Sequence, residues 1–181
     1  MNFVAIEGTN AEFSYNRILL NYIRKYFATK HNIEICEIAD LPAFNADLEV
    51  KEQSPVLELA GKVENADGII IATPEYDHSI PAALKSTIEW LSYQLNSFSK
   101  KPVLIVGASY GPQGSARAQF QLRQILSSPD VTANVLPGNE FLLGNVTQQF
   151  DDRQNLKDSS VIKKLEVTIN DFVEYIDSFK K

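Results

Sequence analysis

The sequence predicts a doubly wound α/β fold, and three observations carry that prediction. Short apolar runs alternate with longer segments of helical period along the chain. One run, Gly68-Ile69-Ile70-Ile71-Ala72-Thr73, is apolar with no alternation, as a strand covered on both faces of a parallel sheet must be. The helical stretches between runs supply the crossovers that parallel neighbours need. With 181 residues the chain can build one medium core and is too short for two ordinary ones, so a single domain over residues 1–181 is expected.

Each element follows from its own residues. Phe3 to Ile6 reads as a first strand, followed by a glycine-containing loop and a helix. In that helix Ile18, Leu19, Tyr22, Ile23, Tyr26 and Phe27 recur at the spacing of one helical face. Asn32 to Ile38 reads as a second strand. Ser54 before Pro55 reads as a helix cap with proline at the first helical position, and this helix runs toward Ala66. After the third strand at Gly68, Pro81 opens a helix through about Tyr93. Val103 to Val106 is a fourth strand, Ser115 to Leu126 a fourth helix, and Thr132 to Leu136 a fifth strand. Val161, Leu165, Ile169, Phe172, Val173 and Ile176 mark the inner face of a closing helix. The polar stretch Gly144 to Asp158 is expected to be a long loop or an oligomer contact.

Bulk properties exclude several function classes. Apolar residues make up 44% and charged residues 22%, ordinary for a soluble globular protein. A net charge of −6 gives no general attraction to nucleic acid or anionic membrane, and neither is expected as a partner. The lone Cys36 sits in the alternating run Ile33, Ile35, Ile38, which suits a small strand residue rather than a nucleophile. The start, Met1 to Glu7, has too short an apolar stretch for a secretory leader and no basic segment before it, so a cytoplasmic location is expected. No metal-ligand pattern is evident.

In an open parallel sheet, ligands bind beyond the carboxyl ends of the strands. The three loops there have unusual sequences. Gly8 to Asn16 offers a sharp turn off the strand, then hydroxyl and amide donors beside a helix start, which suits either a phosphate cradle or a simple cap at Ser14. Pro74 to Pro81 holds Glu75, Tyr76, Asp77, His78 and Ser79 between two prolines that stiffen the backbone. Gly107 to Gly114 carries Gly107, Gly111 and Gly114, which permit close approach of a ligand to the backbone, with Ser115 placed to cap the next helix. Neither a GxGxxG fingerprint nor a P-loop GK[ST] is present.

The stretch Pro74-Glu75-Tyr76-Asp77-His78-Ser79-Ile80-Pro81, continuing through Leu84-Lys85 and Ile88-Glu89-Trp90-Leu91-Ser92, strongly resembles the signature of the NADPH-dependent FMN reductase family. In these quinone, azo-dye and chromate reductases the pattern reads P-E-Y-N-x-S-x-P-x-x-L-K-N-x-I-D-W-L-S. The first loop resembles the family's G-S-x-R-x-x-S-x-N phosphate loop, and Gly107 to Arg117 its third flavin loop. The likeness covers nearly the whole chain. It implies a flavodoxin-like, five-stranded parallel sheet of order 2-1-3-4-5 with helices on both faces. It implies FMN with its phosphate near Ser14 and Asn16 beyond Gly8 and Thr9. The isoalloxazine would run along Pro74, Glu75, Tyr76, Asp77 and Ser79, with Ser109, Tyr110 and Gly111 completing the ring site. NADPH or NADH would be the co-substrate, and the chain a homodimer or homotetramer. Trp90 is either near a subunit contact or plain core.

Two departures from the pattern matter. Ala11, beside Glu12, stands where the family carries arginine. Losing a charge-assisted phosphate contact costs on the order of 1.5–3 kcal/mol, or about tenfold to a hundredfold in affinity. Helix amides with Ser14, or Arg17 reaching in, are left to hold the phosphate. Asp77 replaces the usual asparagine, and a carboxylate near the ring would lower its reduction potential.

The function implied is electron transfer from NAD(P)H through FMN to a small acceptor such as a quinone, an azo compound or free flavin. The cofactor carries the chemistry, so no side chain is assigned as catalytic. His78 remains the one candidate for proton transfer. The alternatives are a flavodoxin electron carrier, or a flavodoxin-shaped binding or regulatory module that has lost its flavin, which Ala11 and Asp77 keep open. A phosphoacceptor receiver is excluded because the third strand ends Ala72-Thr73-Pro74, without the aspartate such domains need.

Overall fold

A computed structural model describes residues 1–180. At its centre lies β3 (Gly68–Ala72), every residue of which is buried. It is flanked by β1 (Asn2–Glu7) and by β4 (Pro102–Ala108). Outside these lie β2 (Asn32–Cys36) and β5 (Asn134–Val135), giving the order β2-β1-β3-β4-β5 with every pair parallel. Register aligns Ala5 with Ile70 and Ile70 with Leu104.

Because successive side chains point to opposite faces, each central strand feeds two cores. Phe3, Ala5, Ile70 and Leu104 pack against α1 (Tyr15–Tyr26) and α5 (Ser159–Ser178). Val4, Ile6, Ile69, Ile71, Val103 and Ile105 pack against α2 (Ser54–Asn65), α3 (Ala82–Ser92) and α4 (Ala116–Leu126). Covering on both faces is why the central runs lack polar alternation. In α5 the buried residues include Leu165, Ile169, Phe172 and Ile176, the stripe read from the sequence.

Three expectations need correction. The fifth strand position is shared by two short segments, because β6 (Phe141–Leu143) also pairs with β4. Pro137 and Gly138, the latter at φ 72°, interrupt what would otherwise be one strand, since proline brings no ladder donor. Strand β2 stops at Cys36, although Ile38 beyond it is buried. The α2 cap is Gln53; Ser54 is the first helical residue and its side chain caps nothing. The stretch Gly144 to Asp158 is a long loop, as expected, held by its own contacts: a bridge pairs Phe150 with Leu156, and the Asp151 carboxylate accepts from the amides of Arg153 and Asn155.

Cys36 is buried, and removal from water pushes its thiol up to about 11, so it is an inert strand residue. Trp90 is core as well. Its indole is fully buried, packs edge-on to Phe44 and donates to the Pro42 carbonyl at 2.8 Å. Among the described residues no helix is long and apolar enough to cross a membrane, and no cluster of metal-ligating side chains occurs.

Candidate functional site

The loops leaving β1, β3 and β4 converge on one cavity of about 440 Å³, a size usual for small-molecule sites. From the first loop and α1 come Phe13, Ser14, Tyr15 and Asn16; from the second, Pro74, Glu75 and Tyr76. The third loop supplies Ser109, Tyr110 and Gly111, with Ser115 and Arg117 behind them. Gly8, Thr9, Asp77 and Ser79 lie off the lining.

The first loop is held against the sheet by contact. The Gly8 amide donates to the Ala72 carbonyl at 2.8 Å, and a Cβ on Gly8 would stand 2.4 Å from that same oxygen. Thr9 is buried, and its hydroxyl lies 3.1 Å from the Tyr76 phenol, tying the first loop to the second. Ser14 caps α1: its Oγ accepts from the amides of Asn16 and Arg17. The same hydroxyl donates to Glu7 Oε1 at 2.6 Å. The Asn16 side chain grips β4 from both sides, donating to the Ala108 carbonyl at 3.0 Å and accepting from the Ala108 amide at 2.8 Å. Arg17 turns outward to Glu37, with both guanidinium contacts at 2.7 Å, and also donates to the carbonyls of Ala11 and Glu12. It clamps the loop from outside and is not part of the cavity wall.

The second loop turns back on itself. Tyr76 and Ser79 exchange backbone hydrogen bonds across Asp77 and His78, whose φ values are 50° and 62°. Two consecutive left-handed residues make a primed hairpin turn, in which Asp and Asn are among the favoured residues. Both side chains are solvent-exposed. Ser79 is committed elsewhere, its Oγ donating to Gln121 Oε1 at 2.6 Å, an oxygen that also accepts from the Ile80 amide.

Glu75 joins the second loop to the third. Its carboxylate accepts from the Arg117 amide at 2.9 Å and pairs with the Arg117 guanidinium at 3.1 Å. It also accepts from the Ala118 amide. Burial raises the Glu75 carboxyl, but these donors outweigh it and hold its pKa below the ordinary carboxylate value. This carboxylate therefore caps α4. Ser115, expected to do so, sits at φ 68° with no capping bond. Its Oγ would stand 1.9 Å from a Cβ on Gly107.

The third loop rests on a support that sequence reasoning missed. The Ser109 amide donates to the Leu143 carbonyl, the Val146 amide to Ser109, and the Asn145 amide to Gly111. Gly114, at φ 59°, would place a Cβ 2.6 Å from the Leu142–Leu143 peptide, and one on Gly144 would stand 2.3 Å from the Pro112 oxygen. Glycine at 144, just after a short apolar run, was the available signal. At the cavity mouth stand exposed Phe13 and Tyr110, each edge-on to Tyr15.

The NADPH-dependent FMN reductase family model matches residues 1–148. The chain belongs to this family. A relative within the curated proteins, "NADH:(hydroxy)cinnamate reductase subunit CrdA" of Vibrio ruber, is 46% identical over 100% of this FMN reductase chain and 90% of its own. "NADH-dependent flavin reductase subunit 2" of Lactobacillus johnsonii is 45% identical, with both chains covered in full. Among solved structures, the flavoenzyme NAD(P)H:(acceptor) oxidoreductase FerB of Paracoccus denitrificans superposes with a TM-score of 0.88 at 27% identity, covering 98% of this chain and 97% of that one. The flavodoxin-like sheet of this reductase-family chain is shared with that protein.

Proposed function

We propose that the three-loop cavity is the seat of FMN, in a single-domain enzyme that passes electrons from NADH or NADPH to small acceptors such as quinones and free flavin. The observation that carries this reading is the pairing of two unlike ends in one cavity. One end is the start of α1, where amide groups favour an anion. The other is walled by Tyr76 and Tyr110, with open space in front of Gly111, which suits a flat ring. The residues present fit FMN.

When bound, FMN supplies the redox chemistry. The chain's own residues bind and orient it. Ser14 and the start of α1 would hold the phosphate; Pro74, Glu75 and Tyr76 from the second loop and Ser109, Tyr110 and Gly111 from the third would hold the ring. Gly8, Thr9, Asp77 and Ser79 act from behind, setting the loops in place, while Asn16 lines the cavity and ties α1 to β4. With Arg17 turned outward, Arg117 is the cation that lines the cavity among the described residues. His78, exposed on a turn, has no part in proton transfer.

NADH is the donor to test first, since both relatives named above are NADH enzymes by name. The chain is read as cytoplasmic, a placement that its single free thiol suits. It is further read as a homodimer or homotetramer, which exposed Phe13, Tyr110 and Phe120 support as apolar contact area. A second reading comes from the word "subunit" in both relatives' names: the acceptor is then a flavin held on a partner chain. The test is NADH oxidation by the purified protein, with and without FMN and a naphthoquinone, alongside its mass in solution. FMN-dependent turnover with quinone supports the reading. Tight FMN binding without NADH oxidation would make it a carrier instead.

A further inference from the structure

Glu7 is a carboxylic acid in an unusual place. It ends β1, is completely buried, and takes its position beneath the loop whose Ser14 lines the cavity. Its Oε1 accepts from the Ser14 hydroxyl at 2.6 Å, while its Oε2 has no hydrogen-bond partner among the described residues. An ionised carboxylate accepts only, so an unmatched buried oxygen is costly for the charged form and much less so for the protonated one.

The hydroxyl of Ser14 has one proton to give. Its oxygen already accepts from the amides of Asn16 and Arg17. While Glu7 is ionised, the Ser14 proton is bound to Glu7 and none is left for a ligand. Once Glu7 is protonated, its O–H can donate to the Ser14 oxygen in place of the longer amide contact, that from Arg17 at 3.3 Å, and the Ser14 proton is free to turn into the cavity.

From this arrangement we infer that Glu7 is a positioning residue for the phosphate of the flavin: binding of the phosphorylated flavin draws one proton from solvent onto Glu7, which releases the Ser14 hydroxyl to the phosphate. This rests on the FMN reading above. The proton balance is simple. One proton leaves the solvent and joins the Glu7 carboxylate; no bond within the ligand changes, and the phosphate keeps its charge. A bound phosphate also repels the Glu7 charge, so both effects act in the same direction.

The surroundings are consistent with that exchange. Burial is the largest influence on Glu7 and raises its pKa to about 7, with the Ser14 bond and the Arg17 charge on α1 opposing and the Glu37 charge, just past β2, adding to it. From β3 its register partner is Ala72, which carries no charge. Arg17, the cation whose charge acts on Glu7, is itself engaged by Glu37 at 2.7 Å. The proton of Glu7 is thus poised to move near neutrality.

The test compares FMN with riboflavin, which lacks the phosphate. Titration calorimetry at pH 8, in two buffers of different protonation enthalpy, counts protons taken up. The expected result is about one proton per FMN and none per riboflavin in the wild-type protein, falling to none for either in Glu7→Gln. In parallel, the wild-type Kd for FMN should rise by up to about tenfold per pH unit above neutrality, while that for riboflavin stays flat. Infrared difference spectra of the unmodified protein should gain a protonated-carboxyl C=O band with FMN but not with riboflavin, a readout that needs no variant. Equal proton counts in wild type and Glu7→Gln, or FMN binding without the new band, would overturn the inference while leaving the flavin site intact. If neither flavin binds, the functional reading falls and this one with it.

Discussion

Replacing Glu7 by glutamine should stabilise the flavin-free protein at alkaline pH, and the size of the effect follows from where the carboxyl sits. Its pKa is raised to about 7 from an ordinary value of 4.5, and each unit is worth about 1.4 kcal/mol. Between those two values the folded chain holds a proton that the unfolded chain has released. Stability therefore falls as pH climbs through that window and levels off above it. The loss from this one group is about 3 kcal/mol. Glutamine keeps a neutral donor next to Ser14 and cannot ionise, so the variant escapes the loss. Urea unfolding of both proteins at pH 4.5 and 8.5 measures it, with Glu7→Gln gaining about 3 kcal/mol on wild type between the two conditions. His31, whose pKa burial lowers, titrates in the opposite sense and cancels in the comparison. Asp67, Asp151 and Asp158 have lowered values, so their contributions are already complete above pH 4.5. A stability difference between variant and wild type that does not change with pH would refute the reasoning.

Three other outcomes follow from the same geometry. Asn16→Ala strips both partners from the Ala108 peptide and should cost about 2–4 kcal/mol in urea unfolding, with weaker FMN binding. Gly144→Ala drives a methyl into the Pro112 backbone from outside the cavity. It should cost about 1–3 kcal/mol and raise the FMN Kd about tenfold or more, as read by flavin fluorescence. His78→Ala should leave the NADH oxidation rate and its pH profile within about twofold of wild type; a larger fall would restore a proton-transfer role.

Much of the fold was legible because its signals are local. The unbroken run at Ile69-Ile70-Ile71 can only be covered on both faces, and the spacing of Leu165, Ile169, Phe172 and Ile176 fixes the inner side of α5. The split edge strand was not legible, since residues 134–135 and 141–143 are each too short to declare a period and meet only through β4. The same division holds in the cavity. Loop composition pointed to Ser14, Tyr76 and Tyr110, which do line it. It could not reveal which polar groups the protein uses for itself. Asn16 is spent on Ala108, Ser79 on Gln121 and Arg17 on Glu37, pairings separated by 92, 42 and 20 residues in the chain. Glu75 displaced Ser115 as the α4 cap for the same reason: a loop 42 residues away arrives with a better acceptor. Glu7 reads as an ordinary polar strand end until the fold closes over it.

The proposed function requires three loops to form one flavin pocket, and a crystal structure of the protein with FMN tests that directly. The ring should lie between the second and third loops, bordered by Tyr76 and Tyr110, with the phosphate at Ser14 and the start of α1. Flavin density elsewhere on the surface, or those loops closed onto each other with the flavin shut out, would contradict it.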